Sequence, residues 1–366
     1  MNFTRCKTCV MPNTRPDTPF VDGECQACIN YRNRPNIDWD TRRSDLVQLL
    51  EEHNGYCIVP SSGGKDSHAQ VHYLQTLGAK VTCVTATTCH LTPVGRANID
   101  NLARYARTIE ITPNRTTRAK LNRLGLEMVG DISWPEHVSI FTTPFKAALD
   151  LRIPLIFYGE NPQEAYGGPM GSEEATQMTR RWVAEFGGFL GLRPDDLTDQ
   201  VGIKAMQDYM PPTAFDVAQA GIQAHFLGAY FPWDSHRNAR DAQAAGMQTF
   251  HNEPPCAASY WVAENLDNAQ TGIHDHMMYR KYGYGRLCTQ LAVDVRMGMI
   301  QRDKALEIVR RRDGLFPETY CGVPVHEVCD RIGVTRQRLF DIMDDFTNWP
   351  LFEKPDGTDH LILKEE

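Results

Sequence analysis

Two short patterns in this chain could do chemistry. The first is a set of four cysteines. Cys6 and Cys9 form one C-x-x-C pair, and Cys25 and Cys28 form a second after fifteen intervening residues. Each pair sits on a tight turn and offers two thiolates to one ion, so the set reads as a tetrahedral Zn²⁺ site. Four sulfur ligands leave no position for water, which makes the ion a structural staple. A segment of about 30 residues buries too little to fold without it. The other seven of the eleven cysteines are scattered and read as small buried hydrophobes. The second pattern is residues 57–70, CIVPSSGGKDSHAQ, where an apolar run enters a glycine turn and leaves into a helix. That layout suits an anion, yet the common G-x-x-x-x-G-K-[ST] word is absent.

The elements that must hold this loop are legible around it. Tyr56–Pro60 is a short β-branched run and reads as a buried strand. Ser61–Asp66 is the turn. Ala69, Val71, Leu74 and Leu77 set a helical period over 67–77, closed by Gly78. Lys80–Ala86 reads as the next strand. This is a β-α-β unit with its loop at the carboxyl edge of the strand, where ligands of open parallel sheets collect.

Ser62-Gly63-Gly64-Lys65-Asp66-Ser67 matches S-G-G-x-D-S and so resembles the PP-loop of N-type ATP pyrophosphatases. The resemblance implies that ATP is cleaved between its α and β phosphates. Gly63 and Gly64 let the backbone approach the phosphates. The hydroxyls of Ser62 and Ser67 and the loop amides cradle the pyrophosphate. Lys65 either neutralises charge or stands in solvent. Asp66 either holds Mg²⁺ or braces the loop. The end of the second strand, Val84–Thr88 with Thr87 among its ATP contacts, is implied to receive the adenine.

Further alternation continues to Ile153–Tyr158, which reads as another buried strand. The expected fold class is α/β, a doubly wound parallel sheet of the PP-loop type, with an N-terminal zinc knuckle and a largely helical C-terminal region. The expected divisions are a knuckle over 1–35, an ATP-binding domain over 36–167 and a helical substrate region over 168–366. Gly159, Glu160 and Asn161 then fall at the same sheet edge as the loop.

Three stretches carry a more specific resemblance: CKTCVMPNTRPDTPFVDGECQACINY at the start, YGENPQEAYGG at 158–168, and GIHDHMMYRKYGYGRLCTQLAVDVRMGMIQRDKALEIV at 272–309. In this order, and over nearly the whole chain, they resemble the N-acetyl sugar amidotransferase family of surface-polysaccharide biosynthesis. The resemblance implies adenylylation of an acetamido oxygen by ATP, then attack by ammonia to give an acetamidino sugar, AMP and pyrophosphate. It assigns Lys281 and Arg286 to a second set of phosphate contacts, with Gly283 and Gly285 permitting close approach. His274 and Asp275 would position substrate or move a proton, and Glu160, Asn161 and Tyr166 would meet the sugar. No G-x-C-x-G elbow and no residue-2 cysteine is present. The ammonia should therefore be free or come from a separate glutaminase subunit. A homo-oligomer is compatible with all of this.

The rival reading is a PP-loop tRNA-modifying sulfurtransferase, in which Cys256 or Cys288 would carry sulfur. A second rival is DNA binding by 326–346, which imitates a helix-turn-helix but continues as acidic DIMDDF. A net charge of −8 speaks against a nucleic-acid partner. No apolar run is long enough to span a bilayer and the N-terminus has no secretory h-region, so a cytoplasmic location without membrane insertion is expected.

Overall fold

The centre of the protein is a parallel sheet of five strands: β1 (Tyr56–Pro60), β2 (Lys80–Ala86), β3 (Arg107–Ile111), β4 (Leu155–Tyr158) and β5 (Gln223–Phe226). Their spatial order is β3-β2-β1-β4-β5. The structure is a computed structural model and describes residues 3–16, 18–162, 176–355 and 361–365. Registers such as Ile58 with Thr82 and with Ile156, and Phe157 with His225, fix the ladder. Both faces of the sheet are covered, which is why β1, β2 and β4 read as near-continuous apolar runs. Cys57, Val59, Val81, Cys83 and Phe157 point to one face and pack with Leu46 and Leu74. Ile58, Val84, Ile156 and Tyr158 point to the other and pack with Ala147 and Ala148. These are the alternating sides of the pleat.

The covering helices are α1 (Trp39–Glu52), α2 (Lys65–Thr76), α3 (Pro93–Leu102), α4 (Arg115–Val129) and α5 (Trp134–Leu151). The order of connection reverses at β1, with β2 on one side and β4 on the other. That is the switch point at which loops diverge and leave a crevice. The loop after β1 and the loop after β4 are therefore its two banks.

The fifth strand lies beyond residue 167, where the sequence reading places only the helical region. It is four residues long and reads QAHF, too short and too polar to announce itself. Helix α6 (Ser235–Ala244) then packs along α2. The C-terminal part is helical: α7 (Thr271–Tyr282), α8 (Arg286–Arg296), α9 (Arg302–Arg312), α10 (Val325–Ile332) and α11 (Arg336–Asp345). The α10–α11 pair turns at Gly333, φ 68°. Val328, Leu339, Ile342 and Met343 bury its apolar side against Leu126, Ile273 and Met277. No helix of the described residues is long and apolar enough to cross a membrane.

Candidate active site

The loop after β1 is shaped by contacts that only glycine permits. Gly63 has φ 77°, and a Cβ there would stand 2.7 Å from the Ile99 nitrogen of α3. Gly64 is the residue before the first turn of α2. The unpaired amides of that turn and the helix dipole face outward, as an anion requires. His68 stays with the loop: its Nδ1 lies 3.0 Å from Gly64 O, and its Nε2 lies 3.0 Å from Asn101 Nδ2. The two contacts suit one neutral tautomer, with Nδ1–H donating and Nε2 accepting.

Lys65 is not solvated. Its side chain is 7% exposed, and Nζ lies 2.5 Å from Asp66 Oδ2. Burial alone would lower the ammonium pKa. Asp66, Glu264 and Glu160 more than offset this and hold it above the usual lysine range. Asp66 is braced from the other side by Asn238 Nδ2 at 3.1 Å, a residue of α6. The segment 263–267 roofs the loop. It is tied to the start of α3 by Thr92 N to Asp267 O, 3.0 Å, and by Thr92 Oγ1 to Leu266 O. Burial pushes the Asp267 carboxyl up to about 6.

Beside the loop lies a cavity of about 400 Å³ at the carboxyl ends of β1, β2 and β4. Ser62, Asp66, Ser67 and Thr87 line it, and so do Gly159, Glu160, His274 and Arg286. Gly63, Gly64 and Lys65 line the narrower cleft that adjoins it. Asn161 is buried beside Glu160, and Tyr166 lies outside the described residues. Thr85 Oγ1, Thr87 Oγ1, Gln70 Oε1 and Trp233 Nε1 are buried in this wall and have no hydrogen-bond partner among the described residues. Buried polar atoms are normally paired, so four orphans around one cavity fit a polar ligand. Gly159 leaves room for Trp233, whose indole would stand 3.0 Å from a Cβ there.

The far wall comes from α5, α7 and α8. Gln270, the residue before α7, donates through Nε2 to Glu136 Oε2 at 2.8 Å and Ser133 Oγ at 3.1 Å. Glu136 also pairs with the buried Arg118, Nη1–Oε1 2.8 Å. This network fixes the start of α7 against α5. One turn on, His274 Nδ1 lies 2.7 Å from Asp131 Oδ1, and His137 Nδ1 lies 3.3 Å from Asp131 Oδ2. Burial would raise the Asp131 carboxyl, but His274 and His137 hold it well below the usual carboxylate range.

Arg286, the first residue of α8, lines the cavity while Asp275 grips it from behind, Nη2–Oδ1 2.9 Å and Nε to both oxygens at 3.2 Å. Asp275 itself does not line the cavity.

Lys281 is not brought to the cavity. Its Nζ donates to Val129 O at 2.6 Å, at the end of α4. The glycines near it serve packing. A Cβ on Gly285 would stand 2.8 Å from Asp313 Oδ1, and one on Gly283 3.0 Å from Leu363. His276 lies two residues from His274, so it faces away on the helix. It accepts from Arg280 Nε at 3.1 Å.

Sequence reasoning missed Asp131, His137, Gln70 and Trp233. The run DISWPEH has Asp two residues before the helix-capping Ser133 and Pro135 at the second helical position, a capping signal that hides the site.

The four N-terminal cysteines converge and are buried. Cys6 and Cys28 sulfurs are 3.9 Å apart and Cys9 and Cys25 sulfurs 3.7 Å. Four thiolates at ~2.3 Å around a tetrahedral ion would be ~3.8 Å apart, so the set fits Zn²⁺. Backbone N–H groups of Thr8, Cys9 and Cys25 point at Cys6 Sγ within 3.3–3.4 Å. The Asp22-Gly23 turn, with φ 49° and 76°, closes the small hairpin that delivers Cys25. The knuckle docks on α8 and α9 through Leu287, Leu291 and Val309. Arg302 donates to the carbonyls of Cys6 and Cys9 at 3.0–3.1 Å.

Residues 248–363 match the family model described as LPS biosynthesis protein WbpG-like, C-terminal domain. No curated protein is close enough to count as a match. Two solved structures are similar at a low level. One is NMN synthetase from Francisella tularensis, 13% identical with TM-score 0.27, covering 53% of this chain and 94% of that one. The other is the predicted subunit of tRNA methyltransferase from Methanocaldococcus jannaschii DSM, 15% identical with TM-score 0.21, covering 49% and 93%. The fold assignment rests on the strand order and the loop geometry above.

Proposed function

We propose that this chain, whose residues 248–363 match the WbpG-like C-terminal domain of LPS biosynthesis proteins, is an ATP-dependent, AMP-forming amidotransferase that acts on an N-acetylated sugar. The observation that carries the reading is the meeting of the S-G-G-x-D-S loop with a polar cavity of about 400 Å³ whose far wall is built by α5 together with α7 and α8 of the C-terminal domain. The loop alone supports ATP. The wall from α7 and α8 supports a second substrate beside it.

In this reading the loop amides at Gly63 and Gly64 hold the β and γ phosphates. Lys65 stays charged beneath them because three carboxylates surround it. Thr85, Thr87 and Gln70 supply orphan polar atoms for the nucleoside. Asp66, a partly exposed carboxylate at the loop mouth, fits a hard cation. Bound there, Mg²⁺ would offset charge on the departing pyrophosphate.

The amide oxygen attacks the α-phosphorus and the α–β bridge breaks, releasing pyrophosphate. The amide N–H proton leaves to solvent or a base. Ammonia then adds to the activated carbon, and the C–O bond breaks to release AMP with that oxygen. The product is an amidine. An amide oxygen is a poor leaving group and adenylylation makes it a good one. Arg286, aimed by Asp275, is placed to balance phosphate charge in the same cavity. Ammonia would be free or supplied by a separate glutaminase subunit.

A sulfurtransferase would need a cysteine at this cavity. Cys288 is fully buried under the knuckle, and neither it nor Cys256 is among the residues lining the cavity. The test is pyrophosphate release from ATP and ammonia across a panel of N-acetyl sugars. Release stimulated by at least one sugar supports the reading, and no stimulation by any sugar contradicts it.

A further inference from the structure

We infer that Asp131, His137 and His274 form a second metal site, a three-ligand centre for a divalent transition ion in the wall of the cavity. The three donors come from separate places: the turn before α5, the first turn of α5, and α7. One donor atom from each lies within 4.8 Å of the others. Among the described residues the only other group arranged in this way is the cysteine set.

The spacing fits coordination. Ligand atoms ~2.0–2.1 Å from one ion stand ~2.9 Å apart at an octahedral edge and ~3.3 Å apart at a tetrahedral one. The two carboxylate–imidazole separations, each to a different Asp131 oxygen, are 2.7 and 3.3 Å. The first is an ordinary hydrogen-bond distance and the second is long for one. His137 Nδ1 is buried and faces the carboxylate at the longer distance, with Gly188 also against it. A ring nitrogen held at a loose distance from a buried carboxylate that a second imidazole also faces is an arrangement a shared ion would tighten. The surroundings suit the role. Ser133 N donates to Asp131 Oδ1 at 2.8 Å and fixes the carboxylate, as outer partners of metal ligands commonly do.

Two imidazoles and one carboxylate select Zn²⁺, Fe²⁺, Co²⁺ or Mn²⁺ over Mg²⁺ and Ca²⁺, which prefer all-oxygen sites. Both histidines line the cavity, whereas Asp131 is buried behind them. Three protein ligands leave coordination positions unfilled, unlike the four-cysteine set.

The test is metal content, which does not depend on any activity. Purified full-length protein is equilibrated separately with Zn²⁺, Co²⁺ and Mn²⁺, dialysed, and analysed by elemental mass spectrometry. Wild type should hold the cysteine-bound zinc plus about one further equivalent of at least one of these ions. H137A and H274A should each weaken the further site at least tenfold while keeping the cysteine-bound zinc, which reports that the chain is still folded. C25S should do the reverse in any soluble fraction. The inference is overturned if wild type holds only the cysteine-bound ion with all three metals, or if the extra ion survives both histidine substitutions. In the first case the three residues are a hydrogen-bonded cluster only.

Discussion

Asp275 holds Arg286 through three contacts of 2.9–3.2 Å, and it does so from the side away from the cavity that Arg286 lines. The aspartate is 6% exposed and the arginine 21%. One residue faces the cavity and the other sets its direction. Asp275→Asn should therefore lower pyrophosphate release about tenfold or more without displacing zinc. Arg286→Lys should do the same, because a lysine cannot reproduce the bidentate geometry. Initial rates with metal content as the control check both. Wild-type rates in either variant would remove Arg286 from the site.

Gly63 is constrained twice, by φ 77° and by the backbone of α3 at 2.7 Å. Gly63→Ala should destabilise the protein by about 2 kcal/mol or more and abolish detectable ATP binding. Asp66→Asn should behave differently. It keeps the shape of the loop and should abolish pyrophosphate release while ATP still binds, with some loss of thermal stability from the counter-charge taken from buried Lys65. Calorimetry of the two variants side by side separates shape from chemistry.

Lys281 donates to the last turn of α4 and lies away from the cavity. Lys281→Met should cost about 1 kcal/mol through the lost helix-terminal contact. It should leave the rate of pyrophosphate release within about twofold of wild type. A large rate loss at unchanged stability would return Lys281 to the phosphate site.

Asp313 lies buried against the start of α8 and accepts from Gly285 N at 2.8 Å and Cys288 N at 3.3 Å. Burial pushes its carboxyl from the ordinary 3.8 up to about 6. The folded state thus takes up the proton more readily than the unfolded chain. This contribution to stability is fully present below pH 3.8 and is lost as pH rises through about 6. A rise of that size corresponds to about 3 kcal/mol at most. Asp313→Asn keeps an acceptor and should flatten denaturation midpoints between pH 4 and 6 relative to wild type. An unchanged pH profile would show that Asp313 does not titrate in that window.

The cysteine site fastens the knuckle to α8 and α9 through a shared core. Cys25→Ser should abolish zinc binding by the four-cysteine set and expose Leu287 and Leu291, with lower solubility and a markedly lower melting temperature. Strong chelation of wild type should move the melting temperature in the same direction.

The loop end of the candidate site was legible as geometry because each part is local. The Ser62–Ser67 word, the strands on either side of it and the C-x-x-C spacing are each defined within about 30 residues of chain, and backbone geometry follows from them. The far wall was only half legible. His274, Asp275 and Arg286 stand in a recognisable stretch, but their division of labour depends on which helix face meets the cavity. Asp275 turned out to stand behind Arg286, and Lys281 turned to α4. Asp131 and His137 had no signal, because their meaning arises only when α5 and α7 are brought together through Gln270 and Glu136. Strand β5 stayed hidden for a related reason, since four residues pair into the sheet only after the rest of it exists.

The most direct measurement follows one atom. A sugar carrying a heavy-oxygen label in its acetamido group is incubated with the protein, ATP, Mg²⁺ and ammonia, and the products are analysed by mass spectrometry. Adenylylation of the amide predicts that the label appears in AMP, one atom per amidine formed. Label retained in the sugar product, with AMP unlabelled, would contradict it.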